Sequence, residues 1–462
     1  MALMPHPHPH HHPRGDGEAI LNGAPLPTLL TFAFPIILGN IFQQLYNIVD
    51  AMVVGKFLGS IPLGGISVAA PMMDIVNALI LGATIGIGVL AAQLCGAGDW
   101  QRLKVTCSTA LIGGTAITAV VSVACILLGG PVLRAQGTEE AVCQQAMAYL
   151  RIIFGGMIFC YLYNYYASML RSYGNSRVPF VILLVSSTLH ALLDVLLVGV
   201  LKMGIQGVAL STVSCQLFSA VCCMVYVHKR CPPLALKREE LLFRPDEGKR
   251  VLAYAWAAAL QQAVVCIGRF LIQGMLSGLG TNTVTGYNMG MRAEAFLLCF
   301  AQGTAAALAV CLSQNLGHGD RKRARRFYRV TAVCQLSMAA VVMCVCILFA
   351  DGLTALFSDE PEVIAAGGLY TRTMAGFYLL GYLGEMIQSF FRGLGRLRLT
   401  MAASLCQVVL RVILSWLLIP RLGIPGICYS VAVGWFLLVI IEGGYSVIVS
   451  RRMGEGPAGG SV

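Results

Sequence analysis

Twelve apolar runs, each long enough to cross a bilayer, divide this 462-residue chain. A crossing helix needs roughly 20 mostly apolar residues, because a rise of ~1.5 Å per residue must cover the hydrocarbon core. The runs are 28–54, 63–93, 105–129, 146–170, 178–200, 206–228, 251–279, 283–314, 328–350, 371–391, 399–420 and 426–450. Only 11% of residues are charged and 57% are apolar, whereas a soluble domain of this length needs a surface that is about a quarter charged. The 51 glycines suit membrane helices that approach one another closely. The sequence therefore predicts an all-α integral membrane protein.

Charge placement orients the spans. With the N-terminus inside, the inner segments hold Arg102, Lys104, Arg171, Arg177, Lys229, Arg230, the cluster from Arg321 to Arg329, Arg392, Arg396, Arg398, Arg451 and Arg452. The outer segments hold little beyond Lys56, Arg134, Lys202 and Arg421. This positive-inside bias predicts a multi-pass protein of the cell membrane with both termini cytoplasmic. It also accounts for the net charge of +11 through contact with anionic membrane lipids, with no nucleic-acid role needed. The polar segment 1–27, with His6, His8 and His10 to His12, reads as a disordered tail, surface metal capture being the alternative. No cleavable signal is expected there. The 17 cysteines form no C-x-x-C and read as small buried hydrophobes.

The chain repeats itself. Gln93-x-x-Gly96-x-Gly98-Asp99-x-x-Arg102 recurs as Gln314-x-x-Gly317-x-Gly319-Asp320-x-x-Arg323, and Arg171-x-x-Gly174-x-x-Arg177 recurs as Arg392-x-x-Gly395-x-x-Arg398. Both pairs stand 221 residues apart, and Gly204-Ile205-x-Gly207 returns more weakly as Gly423-Ile424-x-Gly426. Six spans per half give the two halves one orientation, a parallel pseudo-symmetric pair. The expected layout is a first lobe over 28–230, a cytoplasmic linker over 231–250, a second lobe over 251–450 and a tail over 451–462. Two such bundles around a cleft argue for transport rather than catalysis, and no metal or nucleophile motif of an enzyme appears.

Charges inside the spans are expensive and mark function or pairing. Asp50, Asp74, His190, Asp194, Glu385 and Arg411 are the most notable, and Arg269 also lacks an evident partner. Helix rise places Asp50 about 9 Å, Asp194 about 12 Å and Thr212 about 15 Å from the outer surface. His190 lies one turn from Asp194 and Tyr46 one turn from Asp50. Two carboxylates, a hydroxyl and an imidazole at one level suit a proton or a small cation; a polar cluster that only locks packing is the alternative. The second half lacks this set, since Arg411 and Ser415 stand at the positions of His190 and Asp194. Arg411 is expected in a buried ion pair, Glu385 being one candidate partner. Pro35 interrupts the first span as a hinge or a static kink.

Over residues 28–450 the chain resembles the MATE family of multidrug and toxin extrusion antiporters, in its DinF-like branch. The resemblance rests on Phe34-Pro35, Gln43-Gln44-Leu45-Tyr46-Asn47, Val49-Asp50, Leu170-Arg171, Leu193-Asp194, the stretch Gly286 to Glu294, and Gln314-Asn315-Leu316-Gly317. It implies a V-shaped pair of six-helix lobes, a monomer, no cofactor, and export of amphipathic, often cationic, drugs in exchange for H+ or Na+. It implies coupling residues at Asp50, Asp194 and Thr212, with His190 where the branch has Asn. Tyr46, Gln43, Asn47 and Asn164, with Gln261 and Met275 in the second half, are expected along the cavity. Imidazole titrates near neutrality and is a poor sodium ligand, so His190 favours protons as the coupling ion. A lipid or oligosaccharide-lipid flippase is the nearest rival, kept open by Arg269 and Arg411; a membrane-embedded enzyme is more distant.

Overall fold

The computed structural model describes residues 16–58 and 60–454. Fifteen α-helices follow one another, with no β-strand among these residues. They are α1 (Asp16–Asn22), α2 (Pro25–Phe57), α3 (Ser60–Ala97), α4 (Trp100–Ala135), α5 (Glu140–Gly155), α6 (Met157–Ser172), α7 (Arg177–Asp194), α8 (Gly204–Arg230), α9 (Pro245–Leu276), α10 (Thr281–Gly317), α11 (Arg321–Ala355), α12 (Pro361–Ala375), α13 (Tyr378–Gly393), α14 (Leu397–Leu422) and α15 (Ile424–Gly454). Ten are long and apolar enough to cross a membrane singly, and α5 with α6 make an eleventh span bent by 44°. The pair α12 and α13 completes the twelve. The bend recurs at the offset of the sequence repeat: α5 and α12 start at 140 and 361, and α6 and α13 at 157 and 378.

Several boundaries differ from the sequence expectation, among them the tail expected from 451, into which α15 runs as far as Gly454. Residues 16–22, assigned to the tail, form α1, whose Ile20 is buried; residues 1–15 and 455–462 lie outside the described residues. The linker ends at Arg244, because Pro245 opens α9 with Asp246 and Glu247 in its first turn, a favoured start that fits the helix dipole. The expected single span 371–391 is two helices broken around Gly376–Phe377. In the first half, the corresponding break at Gly156 lets α6 approach α8, for a Cβ there would stand 2.4 Å from Val213.

The repeated motif fastens the halves together at the end of the molecule that carries its basic loops. A Cβ on Gly96 would sit 1.9 Å from the carbonyl oxygen of Gln314, and one on Gly317 would sit 2.0 Å from that of Gln93. The ends of α3 and α10 therefore cross backbone to backbone, which only glycine permits. The Gln93 side chain donates to Gly393 O (3.4 Å), and Gln314 donates to Ser172 O (2.6 Å), each reaching the other half. Gly98 and Gly319 take positive φ (+68° and +89°) and turn the chain. Asp99 and Asp320 then cap α4 and α11 by accepting from the backbone N–H of Arg102 and Arg323. The two arginines hold the lead-in to the opposite half. Arg102 pairs with Glu247 at 3.3 Å, and Arg323 donates to the carbonyls of Ile20 and Gly23. Nearby, Lys104 lies 2.7 Å from Glu240 and holds that carboxyl below its ordinary range.

Close glycine approaches between the halves gather toward the basic end, where Gly82 and Gly86 of α3 meet Ala258 and Tyr254 of α9 and Gly303 of α10 meets Ile37 of α2, beside approaches within one half such as Gly88 to Ser168. Toward the opposite end the approaches stay within one half: Gly65 meets Gln145 and Ala146, and Gly286 meets Val363 and Gly367. The bundles meet at the basic end and part toward the other.

Candidate functional site

Three helices of the first half bring the charged cluster together. The i, i+4 spacing puts Tyr46 and Asp50 on one face of α2, and His190 and Asp194 on one face of α7. α8 supplies Ser211 and Thr212, and a bond from Ser186 Oγ to Cys215 O (3.1 Å) ties α7 to α8 beside them. His190 is 3% and Asp194 1% exposed. His190 Nδ1 stands 2.8 Å from Asp194 Oδ2, and its Nε2 stands 3.0 Å from Thr212 Oγ1. The Tyr46 hydroxyl lies 3.1 Å from each ring nitrogen, its ring edge-on to the imidazole at 88°. Ser211 donates a short hydrogen bond to Asp194 Oδ1. Asp50 completes the set: one ligating atom each of Asp50, His190 and Asp194 lies within 4.8 Å of the others. Its Oδ1 is buried without a hydrogen-bond partner, whereas both Asp194 oxygens are engaged, Oδ1 by Ser211 and Oδ2 by His190.

This arrangement can hold a proton or a small cation. Two carboxylates so close repel when both are ionised, and the unpartnered Asp50 oxygen still has accepting capacity. Asp194 ends α7, and the chain continues in a π-helical turn, Val195–Val200, closed by Leu201 N–H to Leu196 O (2.8 Å). Such turns concentrate at functional sites. The second half has no counterpart, since α14 runs through Ser415 without a break and Ser415 bonds Ser430 (2.7 Å).

The other expected residues lie apart from the cluster. Gln43 donates to Asn47 (3.4 Å) on the neighbouring, more open face of α2. Asn164 turns onto its own helix, donating to Cys160 O (2.9 Å). Gln261 does not face open space: it is 5% exposed and locked to Gln388 (2.7 Å), Ser404 (3.1 Å) and Thr400 (3.3 Å). Met275 packs on the core of the second half. α2 runs unbroken through Pro35, which is buried close to the crossing with α10. The candidate pairing of Arg411 with Glu385 is not formed. Glu385 lies 3.6 Å from Arg392 instead, because it sits about 12 Å from the basic end of its helix and Arg411 about 21 Å from the end of its own.

Sequence reasoning passed over Ser211 and Glu442, and left Glu294 open between a structural and a functional role. Ser211 adjoins Thr212, but only packing shows which hydroxyl reaches Asp194. Glu294 is buried in the second half and accepts from Tyr370 (2.5 Å) and Tyr378 (3.1 Å). Glu442 is 1% exposed, and neither carboxylate oxygen has a hydrogen-bond partner. A cavity of 970 Å³ between α3, α4 and α9, lined by Val76, Tyr161, Phe243 and Trp256, is almost wholly apolar and does not reach the charged cluster.

Two six-helix bundles around a cleft, with one buried charged cluster, define a polytopic membrane transporter. The model of the MatE family matches twice, over residues 35–196 and 257–417, once in each half. The chain belongs to that family, whose members are transporters, multidrug efflux proteins among them, and not enzymes. It is 26% identical to the probable multidrug resistance protein YpnP of Bacillus subtilis over 86% of this chain and 87% of the relative. It is 20% identical to the multidrug export protein MepA of Staphylococcus saprophyticus over 88% and 90%. A solved outward-facing structure of a multidrug resistance MATE family transporter superposes with a TM-score of 0.88 at 19% identity, covering 95% of this chain and 98% of that one.

Proposed function

We propose that this protein resides in the cell membrane with its basic end in the cytoplasm and exports amphipathic, often cationic, compounds in exchange for protons. The observation that carries the reading is the buried His190–Asp194 pair facing Asp50, whose Oδ1 keeps no hydrogen-bond partner. A proton entering from outside neutralises this cluster, and its release inside restores the negative charge. The two charge states give the first bundle two preferred packings, as alternating access requires. Joined at the basic end and parted at the other, the halves correspond to the outward-facing state. That agrees with the likeness to a transporter solved in that conformation. The proton is favoured over sodium because an imidazole, already in contact with Asp194, Thr212 and Tyr46, stands among the groups that would coordinate the ion. A hard cation is better served by oxygen ligands.

The test follows a fluorescent cationic dye in proteoliposomes under an imposed proton gradient and then a sodium gradient. Proton-driven dye movement is expected. In His190→Asn, which replaces a group able to carry a proton by one that is not, proton drive is expected to fall roughly tenfold, equivalent to about 1.4 kcal/mol of coupling. Dye movement driven by sodium alone in the wild type, or an unchanged driving ion and pH profile in His190→Asn, would overturn the proton reading.

A further inference from the structure

The second half holds two guanidinium groups that its own structure leaves unused. Arg269 lies on α9 and Arg411 on α14, which pack side by side and run in the same direction. Gly268 abuts Val408, and Gln261 bonds both Ser404 and Thr400 two turns earlier. That register sets Arg269 and Arg411 level with each other. Both stand within electrostatic reach of Glu294 and Tyr287 of α10. Among the described residues neither forms a hydrogen bond or an ion pair. Arg411 Nε is buried without a partner, and Arg269 faces open space. Glu294 is already held by the hydroxyls of Tyr370 and Tyr378. The remaining acid within electrostatic reach of Arg269 is Asp74 of α3, on the opposite half. Antiparallel α3 and α9 touch at Gly86–Tyr254 and Gly82–Ala258, which continues to Asp74 facing Cys266, one turn from Arg269.

An unpaired charge at membrane depth is costly and persists where something binds it. We infer that Arg269 and Arg411 form a subsite for an anionic group, a carboxylate, sulfonate or phosphate, on an amphipathic molecule in the cleft. Guanidinium is the side chain suited to this, since its planar fork matches such oxyanions two bonds at a time. The two halves then differ in polarity: the first presents Asp50 and Asp194, the second a pair of arginines, with Asp74 across the cleft to meet a positive group on the same molecule. The inference rests on the reading that the chain moves amphipathic compounds. It does not depend on which ion drives them.

Equilibrium binding to the full-length protein in detergent, without any gradient, tests this apart from coupling. The probes are a rhodamine bearing a free carboxylate and its methyl ester, read by fluorescence anisotropy. The carboxylate form is expected to bind the wild type roughly tenfold more tightly than the ester, the worth of one charge-assisted contact. Arg269→Gln and Arg411→Gln are expected to remove that preference while leaving ester binding in place. Should Arg411→Gln fail to fold, Arg269→Gln still decides, because its side chain faces open space. Equal affinity for acid and ester in the wild type, or a preference that survives Arg269→Gln, would overturn the inference. A second arm titrates phosphatidylglycerol against the bound dye, with phosphatidylcholine as control. Displacement by the anionic lipid, lost in Arg269→Gln, would identify a lipid headgroup as the anion; no displacement would identify the substrate's own charged group.

Discussion

Asp194→Asn is expected to abolish ion-driven dye export, leaving proteoliposomes indistinguishable from protein-free vesicles under either gradient. The substitution is nearly isosteric, so Ser211 keeps an acceptor and the 1% exposed site stays filled. What disappears is the charge that faces Asp50 and that His190 Nδ1 approaches to 2.8 Å. With a single acid left, the cluster no longer alternates between a repelling and a neutralised pair. Binding of dye without a gradient is expected to persist, and the melting temperature to change little. Gradient-driven transport at a tenth of the wild-type rate or more would place coupling elsewhere, with Glu442 the next group to examine.

Gly96→Val and Gly317→Val are expected to have the largest structural effect. The new Cβ would stand 1.9 Å or 2.0 Å from a backbone carbonyl oxygen of the other half. A carbon needs about 3.3 Å from such an oxygen, and a backbone carbonyl cannot rotate aside as a side chain can. α3 and α10 would have to separate by more than 1 Å, straining the Gln93–Gly393 and Gln314–Ser172 bonds. The cost is about 1–3 kcal/mol or more per site, as in other overpacked contacts. Two readouts check this: a lower melting temperature in detergent, and spin-label distances across the basic end that broaden or lengthen. Gly55→Ala is the control, since a Cβ there meets nothing within 4 Å. If Gly96→Val matched that control in both readouts, the crossing would not be the fastening that holds the halves together.

The sequence by itself determined the broad architecture, because lipid leaves a backbone so few options. Long apolar runs had to become helices, and the repeat at a fixed offset had to give two similar bundles; the helix starts at 140 and 361, and at 157 and 378, follow that offset. The cluster was also legible in part. A charge in an apolar run stands out, and helical periodicity alone pairs His190 with Asp194 and Tyr46 with Asp50. Depth counting then brought three helices to one level. Tertiary structure decided what periodicity cannot reach, namely which faces of separate helices meet. Thus Gln261 became part of a buried amide network rather than a cavity wall, and Arg411 was left without Glu385 because their depths differ by two turns. Ser211 rather than Thr212 reached Asp194, since neighbouring residues on a helix point about 100° apart and only the seating of α8 on α7 selects between them. The repeated glutamines and glycines were visible as a pattern, but their purpose was not. Gln93, Gly96, Gln314 and Gly317 each contact the opposite half, the two glutamines reaching 300 and 142 residues along the chain, and only the folded pair of bundles brings those ends together.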